Sequence, residues 1–132
     1  MAPLRVLLVD DSPEFLESAT RFLSTDPQIA IAGRALCGRE ALELAEQTQP
    51  DLMLIDLSMP DMNGLETTQA IKAWSASPRV IIMTLHNDPE YCMAAAAIGA
   101  DGFITKSAFS VGVLPLITSL FTEAGRPDGH EL

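Results

Sequence analysis

The chain has 132 residues and a mass of 14.2 kDa, the size of one domain, and its 8 basic and 18 acidic residues give a formal net charge of −10. Such an acidic surface repels phosphate backbones and anionic membranes, so we expect no direct binding to nucleic acid or to a membrane. The start of the chain has no signal-peptide pattern, and Cys37 and Cys92 are the only cysteines, which predicts a cytoplasmic protein with free, buried thiols.

Short apolar runs and longer segments of helical period alternate along the chain. The five runs are residues 5–9, 29–35, 52–55, 80–83 and 103–105. The first, third and fourth runs are almost continuously apolar, which is typical of parallel strands buried on both faces. The second run contains Gly33 and Arg34, and this weaker pattern predicts a strand at the edge of the sheet.

Apolar residues recur at helical spacing in the five segments that follow these runs, and several helix ends carry recognisable signals. In the first segment, Asp11 or Ser12 can cap the helix, with Pro13 in its first turn. In the last segment, Pro115 is expected in the first turn and Gly125 at the stop.

This alternation predicts a single (βα)5 domain of the α/β class, doubly wound, with a parallel sheet and helices on both faces. We expect the domain to span residues 1–124 and residues 125–132 to form a flexible C-terminal tail. In such a fold the site lies beyond the carboxyl ends of the strands, near the point where the strand order reverses.

Polar residues stand where four of the runs end: Asp10 with Asp11, then Asp56, Thr84 and Lys106. Carboxylates crowded at one edge repel one another unless a cation is present. Mg²⁺ is a suitable cation, because it binds carboxylates together with waters and phosphate oxygens. An ammonium and a hydroxyl beside the metal would complete a cradle for a phosphoryl group.

A simpler interpretation exists for each aspartate alone, because an aspartate after a strand is often only the cap of the next helix. That interpretation does not explain five polar positions on one edge. It also leaves Lys106 unexplained, since a lysine that closes an apolar strand needs a negative partner nearby.

The whole pattern resembles the receiver domain of two-component response regulators, over about residues 4–124. The matching motifs are VDDS at 9–12, IDLSMPDMNGL at 55–65, MT at 83–84 and GFITK at 102–106. The resemblance implies a flavodoxin-like fold whose strands lie in the order 2-1-3-4-5. The segments 84–89 and 106–107 look like those of receivers attached to a helix-turn-helix domain of the NarL/FixJ type.

The resemblance also implies a role for each acidic residue. Asp56 would accept the phosphoryl group from the phosphohistidine of a sensor histidine kinase or phosphotransfer protein. Asp11, Asp56 and the backbone carbonyl of Ser58 would bind Mg²⁺, and Asp10 would act through a water molecule.

Signalling would follow from the residues around the phosphoryl group. Lys106 would pair with the incoming group, and Thr84 would hydrogen-bond to it once it is attached. Phe103 occupies the aromatic switch position of the family, although simple core packing is the alternative for this side chain. The surface of the fourth helix, fifth strand and fifth helix would then change shape, and the same surface is the candidate for homodimerisation.

Three positions depart from the family pattern or tune it. Ser107 follows Lys106 where a proline with a cis peptide is common, which leaves the geometry of that peptide open. Leu85 follows Thr84 where a small residue is common, and we expect it to slow loading by small phosphodonors or hydrolysis. Ser58 either tunes the lifetime of the phosphorylated state or is only part of a solvated loop.

Two other classes of function compete with a phosphoacceptor. An enzyme on a similar sheet, such as a phosphatase or a nucleotide-using enzyme, is not expected, because the P-loop, GxGxxG and Asp-x-Asp motifs are absent from the sequence. A phosphorylation-independent or stand-alone receiver that acts as a protein-interaction module stays open. The output is expected to be transcription, through an attached or missing DNA-binding domain.

Overall fold

A computed structural model describes residues 2–59 and 62–124 of the chain. Within them, five strands alternate with five α-helices. The strands are β1 (Leu4–Val9), β2 (Ile29–Ala35), β3 (Leu52–Asp56), β4 (Arg79–Thr84) and β5 (Gly102–Thr105). The helices are α1 (Pro13–Leu23), α2 (Gly38–Thr48), α3 (Gly64–Lys72), α4 (Pro89–Ala97) and α5 (Phe109–Ala124), and a 3₁₀ turn, Lys106–Ala108, precedes α5.

All five strands are parallel and lie in the order β2-β1-β3-β4-β5, which confirms the predicted fold class and strand order. Every residue of β3 is buried, as its uninterrupted apolar run indicates. The edge position of β2 is also confirmed. The pairing of β2 with β1 shifts by one residue: Val6 pairs with Ile31, whereas the next residue, Leu7, pairs with Gly33.

Side chains of successive strand residues point to opposite faces, so the sheet has two cores. One core joins the strands to α1 and α5, and the other joins them to α2, α3 and α4. The predicted placement of helices on both faces is therefore confirmed. On β1, Val6 and Leu8 belong to the first core, whereas Leu7 and Val9 belong to the second.

The beginning of α1 follows the predicted signals. Ser12 is the cap, and its Oγ accepts a hydrogen bond of 3.2 Å from the backbone N–H of Phe15. Pro13 lies in the first turn, where its missing N–H removes no helical bond. This cap orients the first turn of α1 directly beside the carboxyl end of β1.

The predicted position of Pro115 is wrong, because α5 begins at Phe109 and contains Pro115 in its interior. The buried side chains Phe109, Val113 and Ile117 recur at helical spacing, so core packing starts the helix earlier than the proline signal indicated. Because proline has no N–H, the carbonyl of Val111, four residues before Pro115, loses its helical partner. Both residues are exposed, so water can take the place of that partner. Gly125 and the predicted tail lie outside the described residues.

The prediction of buried thiols is also wrong. Cys37 is half-buried just before α2, and Cys92 is exposed on α4. Within the described ranges, no helix combines the length and the apolar character needed to cross a bilayer.

Candidate functional site

The sheet brings the predicted polar residues to one edge. Asp10 follows β1, Asp56 ends β3, Thr84 ends β4 and Lys106 follows β5. Because all strands are parallel, these ends lie on the same side of the sheet. A cleft at this edge is lined by Asp56, Thr84 and Lys106 together with Asp11.

Three carboxylates form the centre of the site. Oxygens of Asp10, Asp11 and Asp56 all lie within 4.8 Å of one another. Asp10 is completely buried and Asp56 is 4% exposed, whereas Asp11 is open to solvent. Asp10 is held in place by the backbone N–H of Ser12, which donates a hydrogen bond of 2.9 Å to its Oδ1.

One ammonium group contacts two of these carboxylates. Lys106 Nζ lies 2.6 Å from Asp10 Oδ2 and 3.4 Å from Asp56 Oδ1. The Lys106 side chain is only 15% exposed, so these contacts are weakly screened by water. Lys106 thus supplies one positive charge beside three carboxyl groups, an arrangement that favours binding of a further cation or of a proton.

Burial and the neighbouring carboxylates raise the pKa of Asp56 from 3.8 to about 6. The largest cause is burial of the carboxyl group, followed by repulsion from Asp10; Lys106 opposes both, and Asp11 adds a weaker repulsion. Ionisation of Asp56 is therefore unfavourable beside the other two carboxylates, and a bound cation or a proton would relieve it.

Gly64 sets the position of the loop after Asp56. Its N–H donates a hydrogen bond of 2.8 Å to the carbonyl of Leu57. A Cβ at this position would collide with the backbone carbonyl of Asp56 and lie 2.8 Å from Leu57 Cα. Only glycine therefore lets the N-terminus of α3 approach the end of β3 so closely. Sequence reasoning included Gly64 in the motif but missed this role.

The predicted tuning and switch residues surround the acidic centre. Thr84 is buried, and its Oγ1 accepts a long hydrogen bond of 3.4 Å from the N–H of His86. Leu85 is 69% exposed and, like the exposed Ser58, lines the cleft. Phe103 is half-buried against the core shared with α2, α3 and α4, so the effect of each residue on switching or lifetime stays a prediction.

The peptide between Lys106 and Ser107 is trans, since no cis peptide occurs among the described residues. The 3₁₀ turn begins at Lys106 itself. The lysine thus reaches the carboxylates without the cis bond that the proline of related sequences brings.

Phe15 belongs to the site although sequence reasoning placed it only in the apolar stripe of α1. Its ring centroid lies 4.6 Å from Lys106 Nζ, and its side chain lines the cleft. The sequence signal for this contact was an aromatic residue in the first turn of the helix that follows Asp10 and Asp11.

A five-stranded parallel sheet with an acidic cluster and a lysine where the strand order reverses defines a class of doubly wound α/β domains with a charged site at the carboxyl ends of the strands. Residues 6–114 match the family of the response regulator receiver domain. The chain belongs to this family.

Curated relatives of the chain include a response regulator and a transcriptional regulatory protein. It is 39% identical over 104 residues to the nitrate/nitrite response regulator protein NarL of Escherichia coli K12, covering 79% of this chain and 48% of NarL. It is 36% identical over 106 residues to the transcriptional regulatory protein YdfI of Bacillus subtilis, covering 80% of this chain and 49% of YdfI. The chain thus spans about half the length of these relatives.

A solved structure of a receiver domain supports the assignment of the chain to this family. The signal receiver domain of the response regulator NarL from Mycobacterium tuberculosis superimposes with a TM-score of 0.85 at 31% identity. The match covers 96% of this chain and 100% of that domain.

Proposed function

We propose that this chain is a phosphoacceptor that takes a phosphoryl group on the Asp56 carboxylate from a histidine of a sensor kinase or of a phosphotransfer protein. The observation that carries the proposal is the position of Asp56. It is buried at the end of the central strand β3, 3.4 Å from the Lys106 ammonium, with two further carboxylates within 4.8 Å. Membership of the receiver family supports the same role.

The proposed transfer is an in-line displacement at phosphorus. A carboxylate oxygen of Asp56 forms the new O–P bond, the P–N bond to the donor imidazole breaks, and the imidazole leaves with the electron pair and takes up a proton. Lys106 already lies 3.4 Å from Asp56 Oδ1 and would neutralise the phosphoryl oxygens, and Thr84 would hydrogen-bond to the attached group. Positioning and charge neutralisation are the main contributions of a protein to such a step.

The acidic cluster fits a bound Mg²⁺. Its three carboxylates supply oxygen ligands within 4.8 Å of one another, and burial together with repulsion from Asp10 raises the pKa of Asp56. Asp11, Asp56 and the backbone carbonyl of Ser58 would hold the ion, and Asp10 would act through water. When bound, Mg²⁺ supplies positive charge to the phosphoryl oxygens.

The proposed switch runs from the phosphoryl group to the surface formed by α4, β5 and α5. The new group adds charge and acceptor oxygens, towards which Thr84 would move, and Phe103 would rotate inward behind it. This surface exposes apolar side chains, with Met93 73% and Val111 77% exposed. It is therefore also the proposed site of a homodimer contact.

The proposed output is control of transcription through a DNA-binding domain, while this chain itself, with its net charge of −10, does not bind nucleic acid. The similarity to YdfI supports this output. We propose that the protein is cytoplasmic, with the receiver at residues 1–124, and that it has no enzymatic activity beyond its own phosphorylation and dephosphorylation. The alternative is an interaction module that acts without phosphorylation.

Intact mass spectrometry tests the proposal. The chain is incubated with Mg²⁺ and phosphoramidate, whose P–N bond resembles that of phosphohistidine, beside Asp56→Asn and a sample with chelator. We expect one phosphoryl group on the wild type and none in either comparison. Failure of both the wild type and the more open Leu85→Ala variant to gain mass would favour the phosphorylation-independent module.

A further inference from the structure

The Lys106 ammonium has a third neighbour besides its two carboxylates. Its Nζ lies 2.6 Å from Asp10, 3.4 Å from Asp56 and 4.6 Å from the centroid of the Phe15 ring. Asp10 follows β1, Asp56 ends β3 and Phe15 lies on α1. A cation at this distance from a ring is attracted by the negative π face.

The Phe15 ring is held from two sides. On its own helix, the backbone N–H of Phe15 donates to the Ser12 cap. Across the core, the ring meets the buried Phe109 edge to face, with centroids 5.4 Å apart and planes at 75°. Phe109 also contacts Phe22 at 6.0 Å. Because Phe109 follows Lys106 by one 3₁₀ turn, the ring is anchored to the segment that carries the lysine.

A ring suits this place better than the other groups that attract a cation. A further carboxylate would add repulsion to a cluster that already raises the pKa of Asp56, and it would repel an incoming phosphoryl group. An aliphatic side chain would exclude water but would attract the ammonium only weakly. The π face attracts the cation without adding net charge.

We propose that Phe15 is a positioning residue for phosphoryl transfer, whose ring holds the Lys106 ammonium beside Asp56 as the acceptor attacks. The inference rests on the proposed function, because it concerns the same site. Phe15 acts through Lys106 and takes no part in bond making.

Fluorinated phenylalanines incorporated at residue 15 alone test the electrostatic role. Each added fluorine withdraws electron density from the ring face and leaves the shape of the ring almost unchanged. We expect the rate of phosphorylation by phosphoramidate to fall stepwise from one to three fluorines, with a total loss of about three- to tenfold. Thermal unfolding of these variants should stay close to that of the wild type.

Phe22 offers a matched control. Its ring packs on the same Phe109, and among the described residues only the Phe15 ring has a cation over it. The same fluorinated series at residue 22 should therefore leave the rate unchanged.

Each other outcome is informative. A phosphorylated wild type with a flat series at Phe15 overturns this inference and leaves the proposed function intact. Equal losses at Phe15 and Phe22 also overturn it, because the effect would then come from packing. If neither the wild type nor the Leu85→Ala variant takes a phosphoryl group, the proposed function is overturned and this inference with it; if only Leu85→Ala takes one, the fluorinated series is measured in that variant.

Discussion

Replacing Asp56 by asparagine should stabilise the metal-free protein near neutral pH. The folded chain raises the pKa of Asp56 from 3.8 to about 6, chiefly by burying the carboxyl group and placing it near Asp10. The folded state therefore binds this proton more tightly than the unfolded state does. The stability that comes from the protonated form is complete below about pH 4 and is lost as the pH rises through about 6.

The size of the effect follows from the shift. One pKa unit corresponds to about 1.4 kcal/mol, so ionised Asp56 costs about 3 kcal/mol of folding free energy at pH 7. The contact with Lys106 is already included, because it opposes the other causes of the same shift. Asparagine keeps the shape of the side chain and removes the charge, so most of this energy should be recovered.

Urea denaturation measures the difference, with the fluorescence of Trp74, the only tryptophan in the chain, as the signal. Without Mg²⁺, Asp56→Asn should be more stable than the wild type by about 3 kcal/mol at pH 7 and by only about 1 kcal/mol at about pH 4.5. Added Mg²⁺ should stabilise the wild type more than the variant, because binding to the folded state adds stability.

The exposed neighbour Asp11 provides the control. Its repulsion is the weakest of the causes that shift the pKa of Asp56, so Asp11→Asn should stabilise the metal-free protein much less. The reasoning is refuted if Asp56→Asn is no more stable than the wild type at pH 7, or if its advantage does not change with pH.

Two further substitutions test local features. Leu85→Ala should raise the rate of loading by phosphoramidate, or the rate of hydrolysis, several-fold, because the Leu85 side chain lines the cleft that contains Asp56. A mass-spectrometric time course measures both rates, and unchanged rates would contradict this prediction. Pro115→Ala should stabilise the fold by about 2 kcal/mol in urea denaturation, because it restores a helical N–H for the carbonyl of Val111. Equal midpoints would show that α5 accommodates the proline without loss.

Most of the fold was predictable because parallel strands under two layers of helices need continuous apolar runs, and few other structures do. The edge strand β2 was recognisable because Gly33 and Arg34 interrupt its apolar run, as a strand with only one neighbour permits. The start of α5 was not, because the proline rule favoured Pro115 while packing of Phe109 into the core decided the boundary. The exposure of Cys92 also escaped prediction, since α4 is rich in alanine and shows no clear apolar face.

The site was predictable as far as strand ends determine it. Asp10, Asp56 and Lys106 converge because parallel strands end at one edge of the sheet. The contact of Phe15 with Lys106 joins residues far apart in the sequence, and no local pattern specifies it. The close approach of Gly64 to Asp56 likewise depends on how α3 packs on the loop.

Chemical trapping of the modified residue is the most direct test of Asp56 as the phosphoacceptor. After incubation with phosphoramidate and Mg²⁺, borohydride reduces an aspartyl phosphate to homoserine, and peptide mass spectrometry then locates the homoserine. We expect homoserine at position 56 and at no other aspartate, with none when a chelator is present. Homoserine at Asp10 or Asp11, or a phosphorylated chain with none at position 56, would contradict it.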